Sequence, residues 1–330
     1  MTPERVPYGF SGRLKAEFPS QIIVDITEVC NLACIHCPHP VFKQSNYYGG
    51  RFLDPELNKK LVDEVREKGQ GFTEFLRYTS DGEPLAHPNG YEMVAYAAEN
   101  SGVYVTLTTN GTLMDERRTL QFLHAGVHMI DVSMDALEPD TYARIRVNGK
   151  LEVTRGNVLR LMEWIRRDNL KTKVVVSFVE QPQNKGEADG FEKFWKEQGA
   201  DFVIIRRLHS AAGAVPAIAE TMRAKNATVE RRPCVYPWER IVLNPRGLLS
   251  FCPADWTHGS TVTDFRDHTV EEIWQGEFYA ALRKAHLTNE YSYHSFCGQC
   301  PDWSSIRWPF EARAYADMVE DFIREGRETQ

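Results

Sequence analysis

The sequence predicts an α/β protein in which a parallel sheet with crossover helices precedes a smaller α+β region that contains a β-hairpin. Runs of β-branched residues alternate with segments of helical periodicity from residue 21 to residue 210, which is typical of βαβ units. Beyond residue 230, two short apolar runs flank Asn-Pro-Arg-Gly, and such turn residues favour a hairpin. With 330 residues, 42% apolar and 26% charged, the chain has a globular composition and a length that suggests about two domains.

Six strands are predicted in the first region, separated by segments with helix signals. Asp54 and Pro55, for example, provide an N-cap and a first helical position. Crossover connections can wind such strands into an open sheet or curl them toward a barrel, and strand order alone does not decide between these. The predicted strands cover residues 21–26, 73–79, 103–109, 129–134, 173–179 and 202–208.

An Ala-rich segment with Gly213 and Pro216 marks the expected domain boundary. We therefore predict an N-terminal extension at 1–20, the α/β domain at 21–210, a boundary segment at 211–230 and a C-terminal domain at 231–330. The C-terminal domain is predicted to contain hairpin strands at 240–243 and 248–251, one helix at 269–286 and an amphipathic helix at about 309–325.

The acidic balance of the chain limits its partners. The formal net charge is −7, which argues against a nucleic-acid or anionic-membrane surface and fits small or peptidic substrates better. No apolar stretch is long enough for a membrane helix, and residues 1–20 lack the apolar core of a signal peptide. We therefore expect a cytoplasmic protein.

The seven cysteines favour metal binding over a disulfide framework, because the number is odd and the compartment is reducing. Cys30, Cys34 and Cys37 follow the first strand with C-x3-C-x2-C spacing. Three thiolates can hold three irons of a [4Fe-4S] cube and leave the fourth iron open. Alternatively, His36 or His39 would complete a Cys3His zinc site. The spacing favours iron and sulfur and leaves zinc as the alternative.

The run T-x-x-C-N-L-x-C-x-x-C that starts at Thr27 resembles the signature of the radical S-adenosylmethionine (SAM) enzymes. The resemblance implies a partial six-unit (β/α) barrel and a cluster on Cys30, Cys34 and Cys37 whose open iron chelates SAM. It also implies cleavage of SAM to a 5′-deoxyadenosyl radical, driven by an external one-electron donor such as flavodoxin or ferredoxin. His36 stands where the family most often has an aromatic ring near the adenine, and an imidazole can still pack there.

Further segments at the ends of predicted strands resemble the SAM-binding elements of this family. The run Ser-Asp-Gly-Glu-Pro is similar to the G-G-E-P segment that binds the methionine ammonium, with Asp81 in place of the first glycine. Other matches are to the T-N-G, S-x-D-G and Y-x-x-I-R-G elements, whose arginine suits a carboxylate. Taken alone, Asp-Gly-Glu-Pro and Asn-Gly are turns, and the arginine is a solvated helix end. The resemblance implies SAM contacts from His36, Gly82, Glu83, Asn110, Ser133, Asp135 and Arg146.

The other four cysteines lie beyond the boundary segment, at Cys234, Cys252, Cys297 and Cys300. Four sulfurs suit either a tetrahedral zinc or a closed [4Fe-4S] cube. Their arrangement resembles the SPASM and twitch extensions of radical SAM enzymes, which hold auxiliary [4Fe-4S] clusters. Because three plus four uses all seven cysteines, we expect two clusters in total, one catalytic and one auxiliary, and no thiol left to return a hydrogen atom to a substrate.

This count of cysteines favours an oxidation, in which hydrogen abstraction and loss of a proton are followed by electron transfer to the auxiliary cluster. The resemblance extends to enzymes that oxidise sugar or cyclitol alcohols and to maturases of ribosomal peptides. Only 29 residues precede Cys30, which leaves no room for a winged-helix peptide-recognition domain and favours a small polar substrate. Carbon–carbon or carbon–sulfur bond formation on a peptide is the enzymatic alternative, and a zinc-bound scaffold is the non-enzymatic one.

Three residues are candidates for catalysis or substrate binding. Asp255 follows Cys252 by three residues, and its resemblance to an aspartate of related enzymes makes it a candidate base. Arg206 and His209 end the sixth strand and suit a polar or anionic substrate. Arg207 points away from Arg206 unless the strand bulges. For each candidate, a surface or salt-bridge role is the alternative.

Overall fold

A computed structural model describes residues 8–10, 12–79 and 81–309. Its first six strands are parallel and lie side by side in chain order. In the described chain the sixth strand pairs only with the fifth, so these strands form an open, partial (β/α)6 barrel, as predicted. The strands are β1 (Gln21–Val24), β2 (Phe75–Tyr78), β3 (Tyr104–Thr109), β4 (Met129–Ser133), β5 (Lys173–Glu180) and β6 (Phe202–Arg207).

Helices connect these strands and bury one apolar face each. Asp54 caps the second helix by accepting a hydrogen bond from the Glu56 N–H at 3.0 Å, and the buried Leu57, Leu61 and Val65 of that helix join the main core. Crossovers of this kind keep neighbouring strands parallel and bring their carboxyl ends to one edge. The helices are α1 (His39–Phe42), α2 (Pro55–Lys68), α3 (Gly90–Asn100), α4 (Glu116–His124), α5 (Pro139–Ile145), α6 (Leu151–Arg167) and α7 (Ala188–Gln198).

The first of the remaining elements is a helix, α8 (Pro216–Asn226), which forms inside the segment predicted as a boundary. Short 3-10 turns occur at Pro84–Ala86, Pro182–Asn184 and Asp302–Ser304. Among the described residues, no helix is both long and apolar enough to cross a membrane. The elements are α8 (Pro216–Asn226), α9 (Tyr236–Glu239), β7 (Arg240–Leu243), β8 (Leu248–Ser250), β9 (Thr261–Asp264), α10 (Val270–Gln275), α11 (Glu277–Thr288) and α12 (Ser295–Gln299).

The predicted hairpin is continuous with the barrel sheet. Strand β7 pairs in parallel with β1, with Gln21 opposite Arg240 and Val24 opposite Leu243. Strand β8 pairs antiparallel with β7, and β9, which the sequence did not predict, pairs antiparallel with β8. A single nine-stranded sheet therefore joins the two regions of the chain.

The single helix predicted at 269–286 is wrong, because the structure has two helices there. Helix α10 ends at Gly276, whose extended backbone (ψ 174°) then starts α11. A Cβ at this glycine would lie 2.7 Å from the Glu272 carbonyl oxygen, so the tight turn requires glycine. The amphipathic helix predicted at 309–325 lies outside the described residues, apart from its first position.

Asp302 joins the C-terminal cysteine segment to the loop that follows β6. Its buried carboxylate accepts hydrogen bonds from the Ser210 N–H (2.9 Å), the Ser210 hydroxyl (2.8 Å) and the Ala212 N–H (2.7 Å). Ala211 and Ala212 have positive φ angles of 51° and 56°, a conformation that costs free energy for residues other than glycine. The carboxylate therefore holds a strained loop in place.

We predict that Asp302→Ala lowers the free energy of unfolding by about 2–3 kcal/mol, because it leaves buried N–H groups without an acceptor. Denaturant unfolding of anaerobically purified protein measures the change, and iron content shows whether cluster loss contributes. Asp267→Ala is the control, since Asp267 is exposed. Equal unfolding midpoints for the two variants would contradict the role of Asp302.

Candidate active site

A cavity of about 850 Å³ opens at the carboxyl ends of the barrel strands, and all seven cysteines line it. It is bordered by residues from several strand ends, among them Thr79, Thr109 and Ser133. Barrel enzymes place their chemistry at this end of the strands. The fold therefore brings both cysteine sets to a single site.

The first cysteine set lies on the loop after β1, and this loop is fixed by backbone hydrogen bonds. The N–H groups of Ala33 and Ile35 donate to the carbonyl oxygens of Val147 and Ile145, each at 3.0 Å. Within the loop, the Leu32 N–H donates to Cys30 Sγ at 3.4 Å and the His39 N–H to Cys37 Sγ at 3.5 Å. The loop thus supplies donors to its own sulfurs.

The surroundings of these sulfurs fit an iron–sulfur cluster. Burial raises the pKa of Cys30 to about 11 and of Cys37 to about 12, so an added metal must drive deprotonation, as coordinating metals do. Arg146 Nη1 donates to Cys34 Sγ at 3.7 Å and offsets the resulting negative charge. A cube binds each thiolate through a separate iron, and no three His, Cys, Asp or Glu side chains of the described chain are placed to hold a single metal ion.

Gly82 lets the end of β2 approach the cysteine loop closely. The Gly82 N–H donates to the Thr27 carbonyl at 3.0 Å, and the Glu83 N–H donates to the Val29 carbonyl at 2.8 Å. A Cβ at Gly82 would lie 2.3 Å from the Val29 oxygen and 2.7 Å from the Thr27 oxygen. A side chain at this position would therefore push the strand away from the cysteines.

The buried Glu83 carboxylate ties the ends of β2 and β3 together. It accepts hydrogen bonds from the Thr109 hydroxyl (2.5 Å), the Asn110 N–H (2.7 Å) and the Leu85 N–H (3.1 Å). Asn110 in turn donates from Nδ2 to Asn31 Oδ1 of the cysteine loop at 2.9 Å. Glu83 and Asn110 therefore fix the frame of the site, and both also line the cavity.

Asp135 lies behind Arg146. This aspartate is fully buried and adopts a positive φ of 64°; its Oδ2 accepts from Arg146 Nε at 2.7 Å, and its Oδ1 accepts from the Val179 N–H at 2.7 Å. Arg146 and the half-buried Ser133 line the cavity. The structure thus places Asp135 as a group that orients Arg146.

His36 lies beside Asp135 and Arg146, and its imidazole is neutral. Its Nε2 is 3.6 Å from Asp135 Oδ2, and its Nδ1 is 3.3 Å from Gln181 Nε2. Burial lowers the pKa of His36 to about 4, although Asp135 acts in the opposite direction. The ring therefore offers the cavity an uncharged planar surface.

The second cysteine set comes from separate elements of the C-terminal region. Cys234 precedes α9, Cys252 follows β8, and Cys297 and Cys300 lie in α12 and at its end. Burial raises the pKa of Cys234 to about 12 and of Cys300 to about 11. Burial, followed by the charges of the neighbouring thiols, raises the pKa of Cys252 and of Cys297. This set also fits a group that deprotonates its ligands.

Arg231 supports the second set from the side. It donates from Nη1 to the Gly298 carbonyl at 2.8 Å and from Nη2 to the Cys297 carbonyl. Its guanidinium carbon lies 4.3 Å from the ring centre of Tyr291, a cation–π distance. The turn between Cys297 and Cys300 is thereby held by a positive group.

Arg206 and His209 both line the cavity, but in different surroundings. Arg206 is half-buried and donates to the buried Asp131 Oδ2 at 2.5 Å, and Arg77 Nη2 lies 3.8 Å from the same oxygen. His209 is exposed at the mouth, as is Arg207. Sequence reasoning missed Arg77 and Asp131. Each of them is a charged residue in an otherwise apolar strand. Each also lies two positions before a residue that lines the cavity, so the two side chains are on the same face of the strand, and this pattern could have identified them.

Asp255 faces a smaller cavity of about 70 Å³, which Asp25 and Asp81 also line. Its oxygens accept hydrogen bonds from the N–H groups of Thr257 (2.9 Å), Gly259 (3.1 Å) and Ser260 (2.6 Å). Asp81 lines both cavities. Burial and then the carboxylates of Asp25 and Asp255 raise the pKa of Asp81, so this small cavity favours a shared proton.

Comparison with known protein families decides the class of the chain. The family model described as the radical SAM superfamily matches residues 24–188. The chain belongs to the radical SAM superfamily. A second model, described as SPASM, an iron-sulfur cluster-binding domain, matches residues 234–301. The protein is therefore an iron–sulfur enzyme whose cofactors are SAM, a [4Fe-4S] cluster and auxiliary iron–sulfur in the SPASM domain, as the resemblance implied.

An AdoMet-dependent heme synthase of Methanosarcina barkeri is 32% identical over 141 residues, which cover 42% of this chain and 38% of that protein. The matched segment thus spans well under half of that relative. Among solved structures, BtrN in complex with AdoMet and 2-DOIA has a TM-score of 0.57 at 18% identity, covering 85% of this chain and 92% of that chain. SuiB of Streptococcus suis bound to the precursor peptide SuiA has a TM-score of 0.63 at 13% identity, covering 81% and 67%. Both structures share the fold.

We predict that Glu83→Gln weakens SAM binding by about tenfold, since an amide nitrogen in place of Oε2 cannot accept the hydrogen bond from the Asn110 N–H. Equilibrium dialysis of anaerobically reconstituted protein against labelled SAM measures the affinity. Glu99→Gln, an exposed change on α3, is the control. Unchanged affinity in Glu83→Gln would show that the frame at the end of β2 does not govern SAM binding.

Proposed function

We propose that this protein is a radical SAM oxidoreductase that oxidises a small polar substrate of the sugar or cyclitol type. The observation that carries the proposal is that both cysteine sets border the same cavity of about 850 Å³. Bound there, SAM and its cluster supply a 5′-deoxyadenosyl radical that removes a hydrogen atom from the substrate, while the auxiliary cluster supplies an electron acceptor. An alcohol that loses one hydrogen atom, one proton and one electron becomes a carbonyl.

We assign the cluster ligands to two groups of thiols. Cys30, Cys34 and Cys37 would hold three irons and leave one position for SAM. Four further thiolates would close a single auxiliary cluster, and this assignment uses every cysteine of the sequence. With no thiol left over, the chain has no cysteine to return a hydrogen atom, which supports oxidation. The four auxiliary ligands are Cys234, Cys252, Cys297 and Cys300.

The residues around the first set would position SAM. Gly82 and Glu83 would keep the β2 end against the cysteine loop and present its backbone to the methionine ammonium, with Asn110 and Ser133 beside them. Asp135 would orient Arg146 toward the methionine carboxylate, because a guanidinium suits a planar anion. His36, neutral and flat, would pack near the adenine.

The remaining polar groups would serve the substrate. Arg206 and His209 border the cavity and would contact substrate oxygens. We propose that the acidic residues around the small cavity accept the proton that the substrate loses. One of them, Asp81, also lines the large cavity. Asp255 would take part through its negative charge, which increases the affinity of Asp81 for a proton.

Two known structures support different substrates. The match to BtrN, whose structure contains AdoMet and 2-DOIA, covers 92% of the BtrN chain. This similarity supports a small substrate. SuiB bound to the precursor peptide SuiA supports the second candidate, which is carbon–carbon or carbon–sulfur bond formation on a peptide. We further propose that an external donor such as flavodoxin or ferredoxin supplies the electron that SAM cleavage requires, and that the protein is cytoplasmic. Mass spectrometry of products, with loss of two hydrogens from a sugar or from a peptide, separates the two candidates.

The first test removes the catalytic ligands. A Cys30→Ala, Cys34→Ala, Cys37→Ala protein is expected to produce no 5′-deoxyadenosine above background when reduced with SAM, and to lose about half of its iron, from about eight to about four atoms per chain. Chromatography of the reaction and iron analysis measure both effects. Production of 5′-deoxyadenosine by this variant would refute the assignment of the catalytic ligands.

The second test removes the auxiliary ligands and is the matched control for the first. Cys297→Ala, Cys300→Ala protein is expected to lose a similar amount of iron, about four atoms, yet to retain SAM cleavage while forming no oxidised product. Electron paramagnetic resonance after reduction should show the catalytic cluster alone. Normal product formation would show that the auxiliary set does not accept the electron.

A further inference from the structure

Three cationic side chains that line the large cavity, Arg207, Lys225 and Arg307, are exposed to solvent, and we name them the rim. Arg207 ends β6, Lys225 lies in α8, and Arg307 follows the last cysteine pair; all three line the cavity and are exposed. Within the described part of the chain, none of the three makes an ion pair or a side-chain hydrogen bond. Glu180 lies opposite Arg207 in the β5–β6 register, yet their side chains form no salt bridge there.

Several other charged groups that line the cavity have partners inside the protein. Glu83 and Asp302 accept several hydrogen bonds each, as described above, so these carboxylates cannot neutralise the rim. Two deeper cations are also engaged, since Arg240 pairs with Glu239 and Arg231 donates to the carbonyl oxygens of Gly298 and Cys297. The charge that remains available at the rim is positive.

This local charge is opposite to that of the whole molecule. The chain has a formal net charge of −7, so three exposed cations that line one cavity from separate parts of the chain do not reflect its average surface. Exposed positive charges that line a cavity raise the local concentration of anions there. Two of the three are arginines, whose planar fork suits phosphate and carboxylate oxygens.

We propose that the rim binds the anionic group, a phosphate or a carboxylate, of a small substrate. The inference rests on the proposed function, because it assumes that the cavity is where the substrate reacts. In the proposed function the SAM carboxylate has a separate partner, Arg146, which lies beside Cys34. Since the cavity must also hold SAM and border two clusters, the space left suits a small molecule, such as a sugar phosphate or a sugar acid, better than a long peptide.

Isothermal titration calorimetry on the anaerobically purified holoenzyme tests this inference without turnover. The probes are glucose 6-phosphate, glucuronate and glucose, with tetraglutamate as a peptide anion. We expect at least one anionic sugar to bind more tightly than glucose and to bind more weakly as salt is added. Arg207→Gln and Arg307→Gln should each weaken that binding by about tenfold, the effect of one charge-assisted contact.

Arg117→Gln is the matched control, because Arg117 is an exposed arginine on α4, outside the cavity lining; it should bind the probe as the unmodified protein does. Affinity unchanged in both rim variants, or glucose bound as tightly as its phosphate and acid, would overturn the inference. Tetraglutamate bound more tightly than either sugar anion would also overturn it. Rim-dependent binding in a protein that makes no 5′-deoxyadenosine would support the anion site and count against the proposed function alone.

Discussion

The site depends on how closely the end of β2 approaches the cysteine loop. Two backbone hydrogen bonds, to the carbonyls of Thr27 and Val29, join these segments, and only glycine at position 82 leaves room for them. The Glu83 carboxylate then fixes the end of β3 against the same loop. Three strand ends are thereby joined around the sulfurs by hydrogen bonds within the chain itself, which pre-organises the site.

Much of this arrangement was accessible from the sequence. All six barrel strands were predicted within two residues of their observed ends, because short apolar runs bounded by helix and turn signals are typical of a buried parallel sheet. Cys30, Cys34 and Cys37 lie inside the region matched by the radical SAM model, and the other four cysteines lie inside the region matched by the SPASM model, in agreement with the predicted division. The hairpin at Arg240–Leu243 was also found, because Asn-Pro-Arg-Gly is a strong turn signal.

Other features depend on contacts that are remote in the chain. The pairing of β7 with β1 joins residues separated by more than two hundred positions, and periodicity carries no information on such partners. Asp302 and its hydrogen bonds with Ser210 and Ala212 were missed for the same reason. The break at Gly276 was missed because a lone glycine is tolerated in a helix, and only the crowding against Glu272 shows why this one ends it.

The parallel pairing of β7 with β1 has a consequence for how the molecule can be divided. All four residues of β1, Gln21–Val24, are buried, and their backbone groups are bonded on one side by β2 and on the other by β7. A protein cut off before residue 231 would bare one side of this apolar strand, and an open edge of that kind pairs with the next copy it meets. The barrel is thus an internal part of a wider sheet, and it cannot be excised as a free-standing catalytic module.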